Sequence, residues 1–318
     1  MRKILCALCL LSVLVLAFAA FAEQDGITVK EEDGGEFRPL PVSLEGGSPL
    51  PFTYKYNQKL SFYEDPTIRV DRYRVDHSEW GVTYWYADIT IRDPSQIRTA
   101  AADENTPFTG SAMVPGTVIA KRKKAVLAVD GDYCASFSGQ KPPNYILRQG
   151  TVYRDIVTPN LEILLIDEDG DFHVVRPAGT DLETLDKTTV DGKKVINALQ
   201  FGPALVLNGE PVPDEVVLDY DRSPTYSEPD RRAQRMCICQ IDKLRYRAVS
   251  CANYGTDLAT FRDLVMSLGP VQTAYMLDGG ESSQMVFLGH RINTPNSSNG
   301  KDRGLTDAIY FASAWFTD

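Results

Sequence analysis

From Leu60 onward the chain reads as short apolar or alternating runs separated by turn residues, the pattern of a strand-rich protein. Val82 to Ile91 is dense in Tyr, Trp, Ile and Thr, and Ala125 to Val129 is a short apolar run ending in Asp130-Gly131-Asp132-Tyr133; both predict strands. Three hairpins follow. Leu161 to Ile166 returns through Asp169-Gly170 to Phe172-His173-Val174-Val175, Ala204 to Leu207 turns at Asn208-Gly209, and Met236 to Ile241 pairs with Leu244 to Val249 about Asp242-Lys243. Asn-Gly suits the positive φ angles of a tight hairpin. The clearest helix runs from Thr256 to Leu268, with Thr256 as cap and Leu258, Phe261, Leu264, Val265 and Leu268 on one face. Gly269-Pro270 stops it. A strand from Thr273 to Leu277 then delivers Asp278-Gly279-Gly280-Glu281-Ser282-Ser283, followed by a strand at Gln284 to Leu288, a polar loop from Asn293 to Arg303 and a last strand from Asp307 to about Trp315. Strands outnumber helices, so the predicted fold is α+β: mixed β-sheets with a few packed helices in a single catalytic-type domain over residues 60–318.

The first 59 residues have a different texture. Arg2 and Lys3 precede an apolar run from Ile4 that ends in Ala20-Phe21-Ala22, so residues 1–22 read as an export signal and the protein as secreted or cell-surface. The run is about as long as a membrane span, so membrane contact is expected only if this segment stays uncleaved. Residues 23–59, rich in Glu, Gly and Pro, read as a flexible acidic spacer.

Composition narrows the partners. With 33 Lys plus Arg against 43 Asp plus Glu, the net charge is −10, and losing Arg2 and Lys3 makes the mature chain more acidic still. No nucleic-acid partner is expected. Cys134, Cys237, Cys239 and Cys251 lie beyond the signal; buried free thiols are favoured over a disulfide, because Cys237 and Cys239 alternate along a strand and share one face without easily bridging. His77, His173 and His290 are far apart and no Cys-x-x-Cys accompanies them, so no metal and no cofactor are expected.

Candidate chemistry sits at strand ends. Asp278-Gly279-Gly280-Glu281-Ser282-Ser283 ends an apolar strand in an acid, two glycines that admit close backbone approach, and two hydroxyls. A tight turn would use the same glycines, and Gly280-Glu281-Ser282-Ser283-Gln284 lacks the second glycine of a serine-hydrolase elbow. Asp130-Gly131-Asp132 repeats the theme more weakly. Asp167-Glu168-Asp169-Gly170-Asp171 is read as a solvated hairpin turn, since it lacks the downstream Glu of a calcium loop. Arg231, Arg232 and Arg235, and later Lys301 and Arg303, matter for function if they converge on Asp278, where guanidinium forks hold phosphate or carboxylate in two-point geometry.

In order along the chain, Asp130-Gly131-Asp132-Tyr133, Phe201-Gly202-Pro203 ahead of Asn208-Gly209, Arg235 opening the strand with Cys237 and Cys239, the 256–268 helix, Leu277-Asp278-Gly279-Gly280-Glu281-Ser282-Ser283, then Asn293 and Arg303 resemble the phosphodiester glycosidases, the family of the uncovering enzyme N-acetylglucosamine-1-phosphodiester alpha-N-acetylglucosaminidase. The resemblance covers roughly Phe62 to the C-terminus. The chain departs from it at Glu281, where the family commonly has a third glycine, at Asp130, where it commonly has asparagine, and at Cys237 and Cys239, which replace small residues. The resemblance implies hydrolysis of a sugar-1-phosphodiester to free sugar and phosphomonoester, on exported or cell-surface glycans such as exopolysaccharide. It implies Asp278 as base or nucleophile at the anomeric carbon, with Asp130 and Asp132 binding sugar hydroxyls or taking the second carboxylate role. Arg235 and Arg303 would hold the phosphate, and Gly279, Gly280, Glu281, Ser282, Ser283 and Asn293 would line the substrate site. Two other readings compete. One is a non-catalytic, cell-surface carbohydrate-binding or envelope-assembly protein using Tyr73, Trp80, Tyr84, Trp85 and Tyr86 as sugar platforms. The other is an ordinary glycosidase on neutral glycans, for which the arginines are dispensable.

Overall fold

The computed structural model describes residues 40–42, 53–55, 60–76, 78–132, 144–177, 179–220, 230–252, 254–296 and 300–315. Strands β1 (Thr53–Lys55), β2 (Leu60–Asp65), β3 (Ile68–Val75) and β4 (Tyr84–Ile91) form a meander, followed by β5 (Ile97–Ala101), helix α1 (Gly116–Arg122) and β6 (Leu127–Asp130). Next come β7 (Ile146–Arg148), β8 (Thr151–Arg154), β9 (Ile163–Asp167), β10 (Phe172–Val175), β11 (Thr189–Val190) and β12 (Lys193–Gln200). The hairpin β13 (Ala204–Leu207) and β14 (Glu210–Pro211) leads through α2 (Asp214–Leu218) to β15 (Met236–Asp242) and β16 (Arg245–Cys251). Helix α3 (Leu258–Ser267), β17 (Thr273–Met276), a 3-10 turn at Gly280–Ser282, β18 (Met285–Phe287), β19 (His290–Arg291) and β20 (Asp307–Phe311) complete the order.

Three sheets result: nine strands in the order β1-β2-β3-β4-β16-β15-β17-β13-β14, six built on β10-β9-β12-β7-β8 with β11 beside β12, and five in the order β19-β18-β6-β20-β5. The fold is α+β with few helices, as the sequence pattern predicts. Its sheets, however, are antiparallel at every pairing among the described strands, where mixed sheets were expected. Adjacent parallel strands need a crossover of a dozen or more residues. The longest helix among the described residues, α3, does cross from β16 to β17, but β15 lies between them and pairs antiparallel with both.

Local sequence explains the elements that hold the core. In β4, Trp85, Ala87, Ile89 and Ile91 point inward while Tyr86, Asp88 and Thr90 remain half-buried, the period of two that a one-sided strand requires. Helix α3 buries Leu258, Phe261, Leu264 and Val265 completely against the nine-stranded sheet. Its cap is Asp257 rather than the expected Thr256: the Asp257 side chain accepts the Thr260 N–H at 2.7 Å, while Thr256 is drawn into a backbone bridge with Ala233. Asn208 and Gly209 both take positive φ, 53° and 83°, in the predicted β13–β14 turn. One core cluster runs through all three sheets, joining Trp85 to Leu164 and Leu199 and to Leu127, Val129 and Phe311.

Cys237, Cys239 and Cys251 are buried free thiols. The first two lie on one face with their Sγ atoms 3.8 Å apart; Cys134 lies outside the described residues. The acidic 167–171 segment is the β9–β10 hairpin turn, with Lys193 within 3.4 Å of Asp167, Asp169 and Asp171, and Lys243 3.0 Å from Asp171. Of the expected spacer, Leu40 is buried beside Ala100 and Ile119, and Thr53–Lys55 is β1. The rest of it and the expected signal lie outside the described residues. No helix among the described residues is long and apolar enough to cross a membrane. Leu264→Ala, which removes a completely buried α3 side chain, is expected to lower the unfolding free energy by about 2–5 kcal/mol, measured by urea unfolding.

Candidate functional site

Strands β6 and β17 end side by side although they belong to different sheets. Beyond β17, the chain turns at Gly280–Ser282 and returns as β18, which pairs with β6 at Met285 and Val129. This return path lays 278–284 along 130–131. The Asp278 N–H donates to the Gly131 carbonyl at 3.1 Å, and the Asp130 N–H to the Gln284 carbonyl at 3.2 Å. In the other direction, the Gln284 N–H donates to Asp130 Oδ1 at 3.0 Å. On the opposite flank the Gly280 N–H donates to the Gln234 carbonyl at 2.9 Å. Two glycines permit this closeness: a Cβ on Gly279 would stand 2.9 Å from the Gln234 carbonyl oxygen, and one on Gly131 would collide with the Asp307 carboxylate.

Behind the turn lies a buried polar cluster that the sequence reading caught only in part. Asp130 and Asp132 are in it, but so are Arg148 and Asp307. Arg148 has no exposure; its Nη2 donates to Asp132 Oδ1 at 2.7 Å and to Asp307 Oδ2 at 3.3 Å, and its Nη1 to the Ala198 carbonyl. Asp132 Oδ2 accepts the Gln200 N–H at 2.8 Å. Asp307 is pushed up to about 7 by burial first and by the Asp132 charge second, with Arg148 opposing both. Asp130 is raised well above the usual carboxylate range, by burial first and by neighbouring Asp278 second, against the Gln284 N–H. Asp130 Oδ2 is buried and has no hydrogen-bond partner. Asp278 is half-buried at the strand end, its Oδ1 accepting the Gly279 N–H at 2.9 Å. The signal that would have found Asp307 is an acid opening an apolar strand, the mirror of the acids that close strands at Asp130 and Asp278. For Arg148 it was a charge closing the run Tyr145-Ile146-Leu147.

The other predicted residues fall into two groups. Asn293 and Ser283 brace the turn from inside. Asn293 donates to the Ser283 carbonyl at 2.9 Å and to Ser250 Oγ at 3.1 Å while accepting the Met285 N–H at 2.8 Å, and Ser283 Oγ lies 3.0 Å from Ser250 Oγ. Gly279 and Gly280 are half-buried, Glu281 is exposed, and Ser282 is buried with an unpartnered hydroxyl. Arg235 is 6% exposed and donates to the Thr256 and Arg231 carbonyls at 3.2 and 2.6 Å, tying the basic segment to the approach to α3. Arg303 is half-buried, its carbonyl accepting from Gln284 Nε2 at 2.7 Å. The backbones of both basic segments thus border the Asp278 turn. The aromatic candidates lie on β3 and β4: Trp85 is buried, and the Tyr73 and Tyr86 rings stack on each other at 4.5 Å, each covering a face a sugar would need. A cleft of about 420 Å³ lies elsewhere, bordered by Arg98, Gln149, Asp167, Lys194 and Asn197, and contains none of the predicted residues. Among the described residues no group of three or more His, Cys, Asp or Glu has a geometry to hold a metal ion.

The phosphodiester glycosidase family model matches residues 123–312, a span containing the whole cluster. Among solved structures, the chain is similar to the catalytic domain of zebrafish N-acetylglucosamine-1-phosphodiester alpha-N-acetylglucosaminidase, auto-inhibited by its pro-peptide. The TM-score is 0.60 and the identity 15%, over 87% of this chain and 98% of that one. It is also similar to a hypothetical protein from Synechocystis, with a TM-score of 0.50 and 15% identity over 82% of this chain and 68% of that one. No curated protein matches by sequence.

Two outcomes are expected of the cluster. Asp307 has a folded value of about 7 against about 3.9 in an unfolded chain, so between these values the folded protein keeps a proton the unfolded one releases. Its contribution to stability is complete below about pH 4 and is lost as pH rises to about 7. The Tm of Asp307→Asn relative to the parent is therefore expected to rise across that window, measured by thermal unfolding at each pH. Gly131→Ala is expected to destabilise the protein at every pH, because the added methyl meets a carboxylate held in place by Arg148.

Proposed function

The chain belongs to the phosphodiester glycosidase family, and from that premise we propose that it hydrolyses a sugar-1-phosphodiester on exported or cell-surface glycans. A glycosidase-type hydrolase is the coarse activity that the family match supports. The observation that carries the finer reading is the half-buried Asp278 carboxylate at the end of a rigid strand, with the backbones of two arginine-bearing segments bordering its turn.

In this reading water adds to the anomeric carbon and its proton passes to Asp278. The bond from that carbon to the phosphate oxygen breaks, and its electron pair leaves with a phosphomonoester. The transition state has oxocarbenium character, which a nearby carboxylate stabilises. A phosphomonoester, with a second ionisation near pH ~6, leaves with little help from a general acid. Arg235 and Arg303 steady its charge. Asp132, with both oxygens engaged by Arg148 and Gln200, serves as scaffold, so the second carboxylate at the site is Asp130. Export through residues 1–22 belongs to the same proposal, supported by the apolar run behind Arg2 and Lys3.

The test is release of free sugar from a panel of sugar-1-phosphodiesters, N-acetylglucosamine among them, by protein beginning at Glu23. Asp278→Asn is expected to cost about 10²–10⁴-fold in kcat, and Arg235→Ala or Arg303→Ala about 10²–10³-fold in kcat/KM. Full activity in Asp278→Asn would remove that residue from the centre of the mechanism. Turnover indifferent to both arginine variants would point to neutral glycans. Sugar binding without turnover on any member would favour the non-catalytic reading.

A further inference from the structure

Asp130 is the last residue of β6 and is 1% exposed. Its Oδ1 accepts the Gln284 N–H, whereas its Oδ2 is shut away from solvent with no hydrogen-bond partner. An ionised carboxylate in that position would be a buried charge with half its acceptor capacity unmet, an arrangement folded proteins avoid by keeping the group neutral. A neutral acid has a hydroxyl to place, and an acceptor must be near it.

Among the buried and half-buried acids around Asp130, Asp278 is the least engaged by donors. From β20 comes Asp307, engaged by Arg148 and the Thr306 hydroxyl. From the chain beyond β6 comes Asp132, engaged by Arg148 and the Gln200 N–H. The Arg148 guanidinium is therefore directed at those two acids and at main-chain carbonyls. In the Gly280–Ser282 turn Glu281 faces solvent, and Arg303 meets Gln284 through its carbonyl. At the end of β17 stands Asp278, whose carboxylate, among the described residues, receives only the Gly279 N–H, at one oxygen. The Asp278 N–H bond to the Gly131 carbonyl holds the two segments in register at this point, and of the neighbouring charges Asp278 raises Asp130 more than Asp307 does.

We propose that Asp130 and Asp278 hold one proton between them, with Asp130 the positioning residue that carries it and offers its hydroxyl to the Asp278 carboxylate. The proposal rests on the reading of Asp278 as the acting carboxylate and deepens it. Hydrogen bonding from Asp130 orients Asp278 and keeps the pair at a single negative charge, since adjacent carboxylates ionise in two separated steps. As pH rises, loss of the second proton places two charges where an anionic phosphodiester must enter, and turnover falls. The pair is thus a built-in alkaline limit on the enzyme.

The decisive measurement needs no substrate. Infrared difference spectra between the parent protein and Asp130→Asn, taken at about pH 6, where an ordinary Asp is ionised, read the carbonyl stretch of a protonated carboxyl directly. Asp307→Asn identifies any second protonated acid. The proposal predicts a band present in the parent, absent in Asp130→Asn, and titrating at lower pH in Asp278→Asn, where the neighbouring charge is gone. Absence of the band in folded protein, or a band indifferent to Asp278→Asn, overturns it. With the substrate identified above, Asp130→Asn keeps an N–H donor that cannot ionise, so the alkaline limb of kcat is expected to disappear, whatever the height of the variant's profile. An unchanged alkaline limb overturns the proposal. If the infrared prediction holds and no substrate turns over, the shared proton stands and the hydrolase reading falls.

Discussion

Arg148 is buried without exposure between Asp132 and Asp307, and the donors it gives those two acids hold together the polar cluster behind the Asp278 turn. A buried cation requires buried anions around it, and removing one member strands the others. Because Arg148 reaches Asp132 and Asp307 and also binds the Ala198 carbonyl of β12, it ties the five-stranded sheet to the six-stranded one. Asp130 receives none of its donors, so its carboxyl is left to burial and to Asp278 for its charge state.

The placement of the site follows from that tie. Strand β6 belongs to the five-stranded sheet and β17 to the nine-stranded one, yet their ends are clasped by the Asp278 N–H on Gly131 and the Gln284 N–H on Asp130. Strand ends set on packed sheets position side chains more rigidly than free loops do. Gly131 lets the Asp307 carboxylate approach, and Asn293 with Ser283 supports the far side of the turn. Residues that looked like substrate contacts in the chain thus divide between the acids at the opening and a buried scaffold that holds them.

The same division accounts for the arginines. Arg235 and Arg303 come from segments on either flank of the turn, one fixed through the Gln234 carbonyl and the other through Gln284 Nε2. Arg235 also closes the backbone between Arg231 and Thr256.

The sequence by itself determined whatever depends on residues a few positions apart. The inward alternation of β4, the Asn208-Gly209 turn, the buried face of α3 and the acid-glycine ends of β6 and β17 were all legible, because side-chain direction and turn geometry are local properties. So was the family, whose blocks lie in order along the chain. The order of strands in the three sheets, and their antiparallel pairing among the described strands, came from tertiary packing. It also moved the α3 cap to Asp257, since Thr256 is occupied by Ala233. Above all it decided which acids share Arg148, a residue 16 positions from Asp132 and 159 from Asp307. The charge on a carboxylate is set by its burial and by whichever donors and charges the fold brings to it, and at these separations no local pattern encodes either.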